Sequence, residues 1–182
     1  MMRLFIGIDI PDILKHSLLT FQSELKRLGI NGSWKSKDNF HITLEFLGEL
    51  DAIVIPDITD RMSIAAQHSQ AFRLEIGGLG VFPSYKRPHT FWTAVGGNLP
   101  ELFRLRDELH ALLAQKGLRL EDRKFKPHIT IASRPNFNDI DLSSLKTKNL
   151  GEFTVNEVTL FESVVLQGKR IYQPLNQLRL QG

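Results

Sequence analysis

Two short segments of the chain share one make-up: His41-Ile42-Thr43-Leu44 and His128-Ile129-Thr130-Ile131, 87 residues apart. At strand periodicity each histidine shares a face with its threonine, about 6.5–7 Å along the strand, and the aliphatic partners occupy the other face. His-x-Thr alone is a common string. Two copies with matching aliphatic positions, half a chain apart, point instead to a pseudo-repeat whose strands face each other across a cleft. With an unperturbed pKa near ~6.5, one imidazole can accept a proton while the other, charged, donates one. Threonine hydroxyls donate hydrogen bonds to phosphate oxygens. The set suits metal-free transfer at phosphorus: one histidine activates water, the other protonates the departing oxygen, and the hydroxyls hold the non-bridging oxygens. Spacing alone leaves open which histidine is the acid. Positioned proton transfer is worth about 10²–10⁴-fold, so binding and electrostatics must supply the rest.

The other candidates for chemistry are weaker. His16, His68 and His110 fall beside apolar stripes of expected helices, where a partly solvated histidine is ordinary, and His89 sits in the loop Lys86-Arg87-Pro88-His89. On simple alternation Glu45 shares the face of His41, so a zinc site of His41, Glu45 and His128 is conceivable. A plain surface or supporting carboxylate explains Glu45 more simply, and no metal is assigned. There is no Gly-x-Ser-x-Gly elbow and no P-loop.

Rigid elements must carry the two motifs. Arg3–Asp9 alternates as a strand, and Pro11 opens a helix whose stripe is Leu14, Leu18, Phe21, Leu25 and Leu28, stopped at Gly29. In 40–47, Phe40, Ile42, Leu44 and Phe46 are expected on one face and His41, Thr43 and Glu45 on the other. Pro56 starts a second helix faced by Ile58, Met62, Ala65 and Ala66. Strands follow at 72–76, before the turn-rich Gly77-Gly78-Leu79-Gly80, and at 91–95. Leu102, Leu105, Leu109 and Leu112 mark a third helix ending at Gly117. In the second half, 128–132, 153–155, 158–165 and 171–175 read as strands, 140–148 as a short helix, and Gly168 as a turn. Several strand pairs lack a helical crossover, which favours α+β with antiparallel pairing over a doubly wound parallel sheet.

Composition bounds the rest. The 182 residues fit one domain and include 42% hydrophobic residues, 23 Lys+Arg, 20 Asp+Glu and no cysteine. That excludes disulfide scaffolds, thiolate metal sites and a cysteine nucleophile. The longest apolar run, 76–82, is glycine-rich and too short to span a bilayer, and Asp9 cuts the first apolar run too early for a signal peptide. A soluble cytoplasmic globule is expected. The charge is uneven: 116–134 holds Lys116, Arg119, Arg123, Lys124, Lys126 and Arg134 against Glu121 and Asp122. This stretch, just before His128, suits an anionic partner.

Several segments together resemble the two-histidine (2H) phosphoesterase superfamily. They are Trp34, Asn39-Phe40-His41-Ile42-Thr43-Leu44-Glu45-Phe46-Leu47-Gly48, Gly78-Leu79-Gly80-Val81-Phe82-Pro83, Phe91-Trp92 and Lys126-Pro127-His128-Ile129-Thr130-Ile131-Ala132. Within that superfamily the chain is similar to the LigT-like RNA 2′,3′-cyclic phosphodiesterases, also called 2′-5′ RNA ligases. The opening Arg3-Leu4-Phe5-Ile6-Gly7-Ile8 and the late Val158-Thr159-Leu160-Phe161-Glu162-Ser163 extend the similarity over essentially the whole chain.

The resemblance implies an α+β fold, a single bilobal domain over 1–182. Two pseudo-symmetric lobes of antiparallel sheet would line a central cleft, helices outside, with one motif per half (41–44 and 128–131). It implies hydrolysis of a terminal RNA 2′,3′-cyclic phosphate to a 2′-phosphate, with reversible 2′-5′ ligation as an associated reaction and no cofactor or metal. By carry-over His41 is the proton donor, His128 the proton acceptor, and Thr43 and Thr130 bind phosphate. Related sequences often carry an arginine five residues after the second histidine; here that place is Ser133, and Arg134 follows as the candidate replacement. Trp92, Phe82 and Tyr85 are candidate base-stacking faces. The implied partners are RNA ends bearing the cyclic phosphate, tRNA fragments among them, with no membrane or protein partner, and the chain a monomer by default. Two alternatives use the same cleft: a non-catalytic RNA-end or nucleotide-binding module, and a phosphodiesterase of small cyclic nucleotides.

Overall fold

The computed structural model describes residues 1–182. The chain runs β1 (Met2–Asp9), α1 (Asp12–Arg27), β2 (Asn31–Trp34), β3 (His41–Leu50), α2 (Ile55–Gln67), β4 (Phe72–Ser84), β5 (Arg87–Gly97), α3 (Leu99–Gln115), β6 (His128–Asn136), β7 (Asn149–Val155), β8 (Glu157–Leu166) and β9 (Lys169–Arg179). Two antiparallel sheets result, of order β3-β1-β8-β9 and β2-β6-β5-β4-β7. This is the expected α+β class. No helix is long and apolar enough to cross a membrane.

The helices are exchanged between the sheets. α1 leaves β1 of the first sheet and packs on β7 of the second, whereas α3 leaves β5 of the second and packs on β3 of the first, beside α2. The stripe that sets α1 in place, Leu14, Leu18, Phe21 and Leu25, is fully buried. In α3 the buried positions are Leu102, Leu105, Leu109 and Leu113; Leu112, expected in that stripe, is half-buried one position to the side.

Two expectations need correction, and one strand goes unread in the sequence. The glycine-rich 77–80 is no turn: β4 continues through it to Ser84, absorbing one extra residue against β5 as a bulge, with Gly78 at φ +82°. Here Gly80 lies flat under Trp92, where a Cβ would stand 2.1 Å from the indole. The helix expected over 140–148 is one 3₁₀ turn, Ser143–Leu145. Asn138 and Asp139 take left-handed φ before it, and Asp141 caps the Ser143 N–H at 2.9 Å, so local side-chain bonding wins over helix. β2 is an exposed edge strand without apolar alternation, and so leaves no strand signal in the sequence.

Candidate active site

β3 and β6, one from each sheet, approach within 8 Å between Cα atoms, and they carry the two motifs. Each has a bulge immediately after its threonine. Thr43 opposes Gly7 and Glu45 opposes Ile6, leaving Leu44 extra; Thr130 opposes Trp92 and Ala132 opposes Phe91, leaving Ile131 extra. The bulge reverses the alternation, since two consecutive residues then face the core. Leu44 and Glu45 are both buried, as are Ile131 and Ala132, so Phe46 and Ser133 come round to the side of the histidines.

This overturns two sequence expectations. Phe46 is not core: it is 43% exposed and lines the cleft. Glu45 does not share the face of His41. It is 3% exposed on the back of β3, accepting a hydrogen bond from His110 Nδ1 at 2.9 Å and pairing with Arg106 at 3.4 Å, so the set His41, Glu45 and His128 does not assemble. His110, expected to be an incidental helical histidine, is thereby tied to the first motif strand. The second bulge is held from behind in a parallel way. The buried Gln22 of α1 donates from Nε2 to the carbonyls of Ile131 (2.9 Å) and Lys35 (3.0 Å), and the Lys35 N–H donates to the same Ile131 carbonyl at 2.9 Å.

The imidazoles are oriented alike. His41 Nδ1 donates to the Asn39 carbonyl at 2.8 Å and His128 Nδ1 to the Lys126 carbonyl at 2.6 Å, in each case two residues back. A carbonyl only accepts, so Nδ1 carries the proton in each neutral ring and Nε2 keeps its lone pair. His41 Nε2 accepts from the Thr43 hydroxyl at 2.9 Å. Aromatic rings flank both imidazoles: Phe5 (4.9 Å), Tyr172 (4.8 Å, edge-on) and Phe161 (6.3 Å) at His41, Phe82 (4.9 Å, edge-on) and Trp92 (6.0 Å) at His128. Burial in these surroundings disfavours the imidazolium. It pushes His41 down to about 4, with the charge of His128 adding to the effect, and lowers His128, with Arg123 adding there. At neutral pH the free protein holds two neutral histidines.

Both motifs open into one cleft of about 700 Å³, into which His41, Thr43, His128, Thr130, Phe46 and Ser133 point. Five cationic side chains line it as well: Arg3, Lys35, Arg119, Arg123 and Arg170. Arg119 and Arg123 belong to the basic stretch noted before His128. Arg3, Lys35 and Arg170 carry no recognisable sequence signal, because their proximity is long-range: the Asn39 side chain, for instance, donates to the Arg170 carbonyl at 3.0 Å across 131 residues. Arg134 is outside the lining; the strand's path breaks there at φ +49°, and Ser133 takes the cleft position. Of the three aromatic residues expected as stacking faces, Phe82 and Trp92 pack on each other (5.0 Å) around His128. Tyr85 lies at the β4–β5 tip against Phe137 (5.5 Å). None of the three lines the cleft.

Similarity to known proteins follows the same pattern. Curated relatives named RNA 2′,3′-cyclic phosphodiesterase include those of Methanocaldococcus jannaschii, 31% identical with 97% of this chain and 99% of the relative covered, and of Aeropyrum pernix, 30% identical with 89% and 94% covered. Among solved structures, TT0787 of Thermus thermophilus superposes with a TM-score of 0.82 at 25% identity, covering 100% of this chain and 99% of that one. Escherichia coli LigT in complex with 3′-AMP has the same fold, with a TM-score of 0.82 at 24% identity and coverage of 100% and 99%. Residues 31–165, a span that takes in both motif strands, match the 2′-5′ RNA ligase superfamily, and the chain belongs to that superfamily.

Proposed function

We propose that this protein hydrolyses the terminal 2′,3′-cyclic phosphodiester of RNA to a 2′-phosphomonoester, with His41 as proton donor and His128 as proton acceptor. The observation that carries this reading is the matched orientation of the two imidazoles in one cationic cleft, Nδ1 fixed to a backbone carbonyl and Nε2 left to face the cleft, at His41 with the Thr43 hydroxyl on it. The relatives named for this activity support the reaction class.

In the step, the lone pair of His128 Nε2 takes a proton from water as the water oxygen bonds to phosphorus. The bond from phosphorus to the 3′-oxygen breaks, and His41 Nε2–H gives its proton to that oxygen. His41 must first gain that proton. Burial opposes it in the free protein, and the negative charge of a bound phosphodiester reverses the balance. Thr43 and Thr130 then donate to the non-bridging oxygens, the Thr43 hydroxyl leaving His41 Nε2 to do so. Arg123, whose charge is felt at His128, adds electrostatic stabilisation from the 118–127 segment. A 5′-hydroxyl of a second RNA in place of water would form a 2′-5′ linkage by the same two proton transfers. Phe46 offers the terminal base an exposed face.

The reading takes residues 1–182 as one bilobal domain working as a monomer in the cytoplasm on RNA ends such as tRNA fragments, since one chain supplies both motifs of the site. The experiment is incubation of an oligoribonucleotide 2′,3′-cyclic phosphate with the protein in EDTA. Mass and sensitivity of the terminus to phosphatase and alkali are the readouts. Conversion to a 2′-phosphate, lost in His41→Ala, is expected. Conversion only on adding metal would overturn the two-histidine mechanism, and tight binding without conversion would make the protein a binding module.

A further inference from the structure

Beside His41, on the side of the first sheet, lies a second concentration of positive charge that the hydrolytic step does not use. β1, β8 and β9 place Arg3, Ser163 and Tyr172 in one row, since Arg3 lies next to the Leu4–Glu162 pair and Ser163 opposes Tyr172. Arg170 folds back onto this row and donates from Nη1 to Ser163 Oγ at 2.7 Å. Lys35, held through its backbone by Gln22 and Ile131, enters the same end of the cleft close enough to Arg170 for the two charges to repel. Of the carboxylates lining the cleft, Glu121 pairs with Arg123 at 2.6 Å and Glu49 opposes Arg3 across β1 and β3 without an ion-pair contact, so neither Lys35, Arg170 nor Arg3 has a carboxylate within ion-pair distance. Burial and the charges of Arg170 and Arg134 together lower the pKa of Lys35. Unpaired cations converging on a half-enclosed space, with a hydroxyl on each side, are what an anion would relieve.

The cluster adjoins the proton donor. The Tyr172 ring lies edge-on to His41 at 4.8 Å, and Asn39 accepts from His41 Nδ1 with its carbonyl while its amide holds the Arg170 backbone. We infer that Lys35, Arg170 and Arg3, with Ser163 and Tyr172, form a second anion site that takes the phosphodiester on the 5′-oxygen of the terminal nucleoside. The inference rests on the hydrolysis reading above. The leaving 3′-oxygen and that 5′-oxygen belong to one ribose, so a ribose presenting its 3′-oxygen to His41 keeps its upstream phosphate within one ribose of the residue this cluster adjoins. The consequence is preference for RNA ends over cyclic mononucleotides, decided one phosphate away from the chemistry.

The test compares kcat/KM for three substrates. These are a nucleoside 2′,3′-cyclic phosphate with a free 5′-hydroxyl, the dinucleotide extended by a natural phosphodiester, and the same dinucleotide with an uncharged methylphosphonate linkage. The natural dinucleotide is expected to exceed the other two by about tenfold or more, as charge-assisted hydrogen bonds to one phosphate provide. In Lys35→Ala/Arg170→Ala the ratio of natural to methylphosphonate dinucleotide should collapse toward one, and Lys35→Arg should keep it. Equal rates on all three substrates, or an advantage that survives the neutral linkage, would overturn the site. Absence of turnover on every substrate is a different result: it removes the hydrolysis reading, and this inference with it.

Discussion

In the free protein His41 holds a single proton, on Nδ1, and cannot act as an acid until it acquires another. Binding of a phosphate anion should therefore take up a proton near pH 7. Calorimetric titration with a 2′-phosphate product in buffers of different ionisation enthalpy should give a slope of the sign of uptake, lost in His41→Ala. The groups around the ring are consistent with this: Asp9 is engaged with Lys15 at 2.8 Å, and Asn39, Tyr172, Phe5 and His128 present no carboxylate to hold the charge beforehand. The same shift has a stability signature. With the folded pKa depressed to about 4 from an ordinary 6.5, the unfolded chain binds the proton first, so stability is full above pH 6.5 and falls as pH drops toward 4. Melting temperature measured across that range should decline less steeply in His41→Gln. For turnover, His41→Ala or His128→Ala should each cost about 10²–10⁴-fold in kcat with the circular dichroism spectrum unchanged.

The elements explain why much of this site is readable in the sequence and some is not. Strand period and the repeated His-x-Thr are enough to place the four motif side chains, because β3 and β6 are regular up to their threonines. Beyond Thr43 the alternation fails: a bulge is a hydrogen-bonding register between two strands, and nothing in 40–47 alone records its partner. Alternation thus puts Glu45 in the cleft and Phe46 in the core, the reverse of what the pairing with β1 produces. Lys35 and Arg170 are invisible for a related reason, since only tertiary packing brings them together. The glycines of β4 illustrate the opposite case, where a residue type is dictated but the reason is not local. Gly80→Ala should drive a methyl into the Trp92 ring, with an expected loss of about 1–3 kcal/mol in denaturant unfolding. Because Trp92 packs on Phe82 and both flank His128, the variant should also lower kcat.

At the scale of the molecule, both sheets draw strands from both halves of the sequence: β1 and β3 join β8 and β9, and β2, β4 and β5 join β6 and β7. Fragments 1–98 and 99–182 should therefore each lack native amide dispersion in NMR spectra alone and regain it on mixing. Salt is the other global test. If two or three RNA phosphates are neutralised in the cleft, log KM for an oligonucleotide should rise with log salt at a slope of roughly 1.4–2.

The exchange of helices has a mechanical meaning as well. α1 is leashed by a short connection to β1 of one sheet and seated on β7 of the other, while α3, leaving β5, crosses in the opposite sense. Spreading the sheets would have to unseat buried leucines on both sides at once, so the aperture between His41 and His128 is a fixed gauge and not a jaw. On the proposed function, an RNA end would then be selected by whether it fits this aperture, with no energy diverted into closing around it.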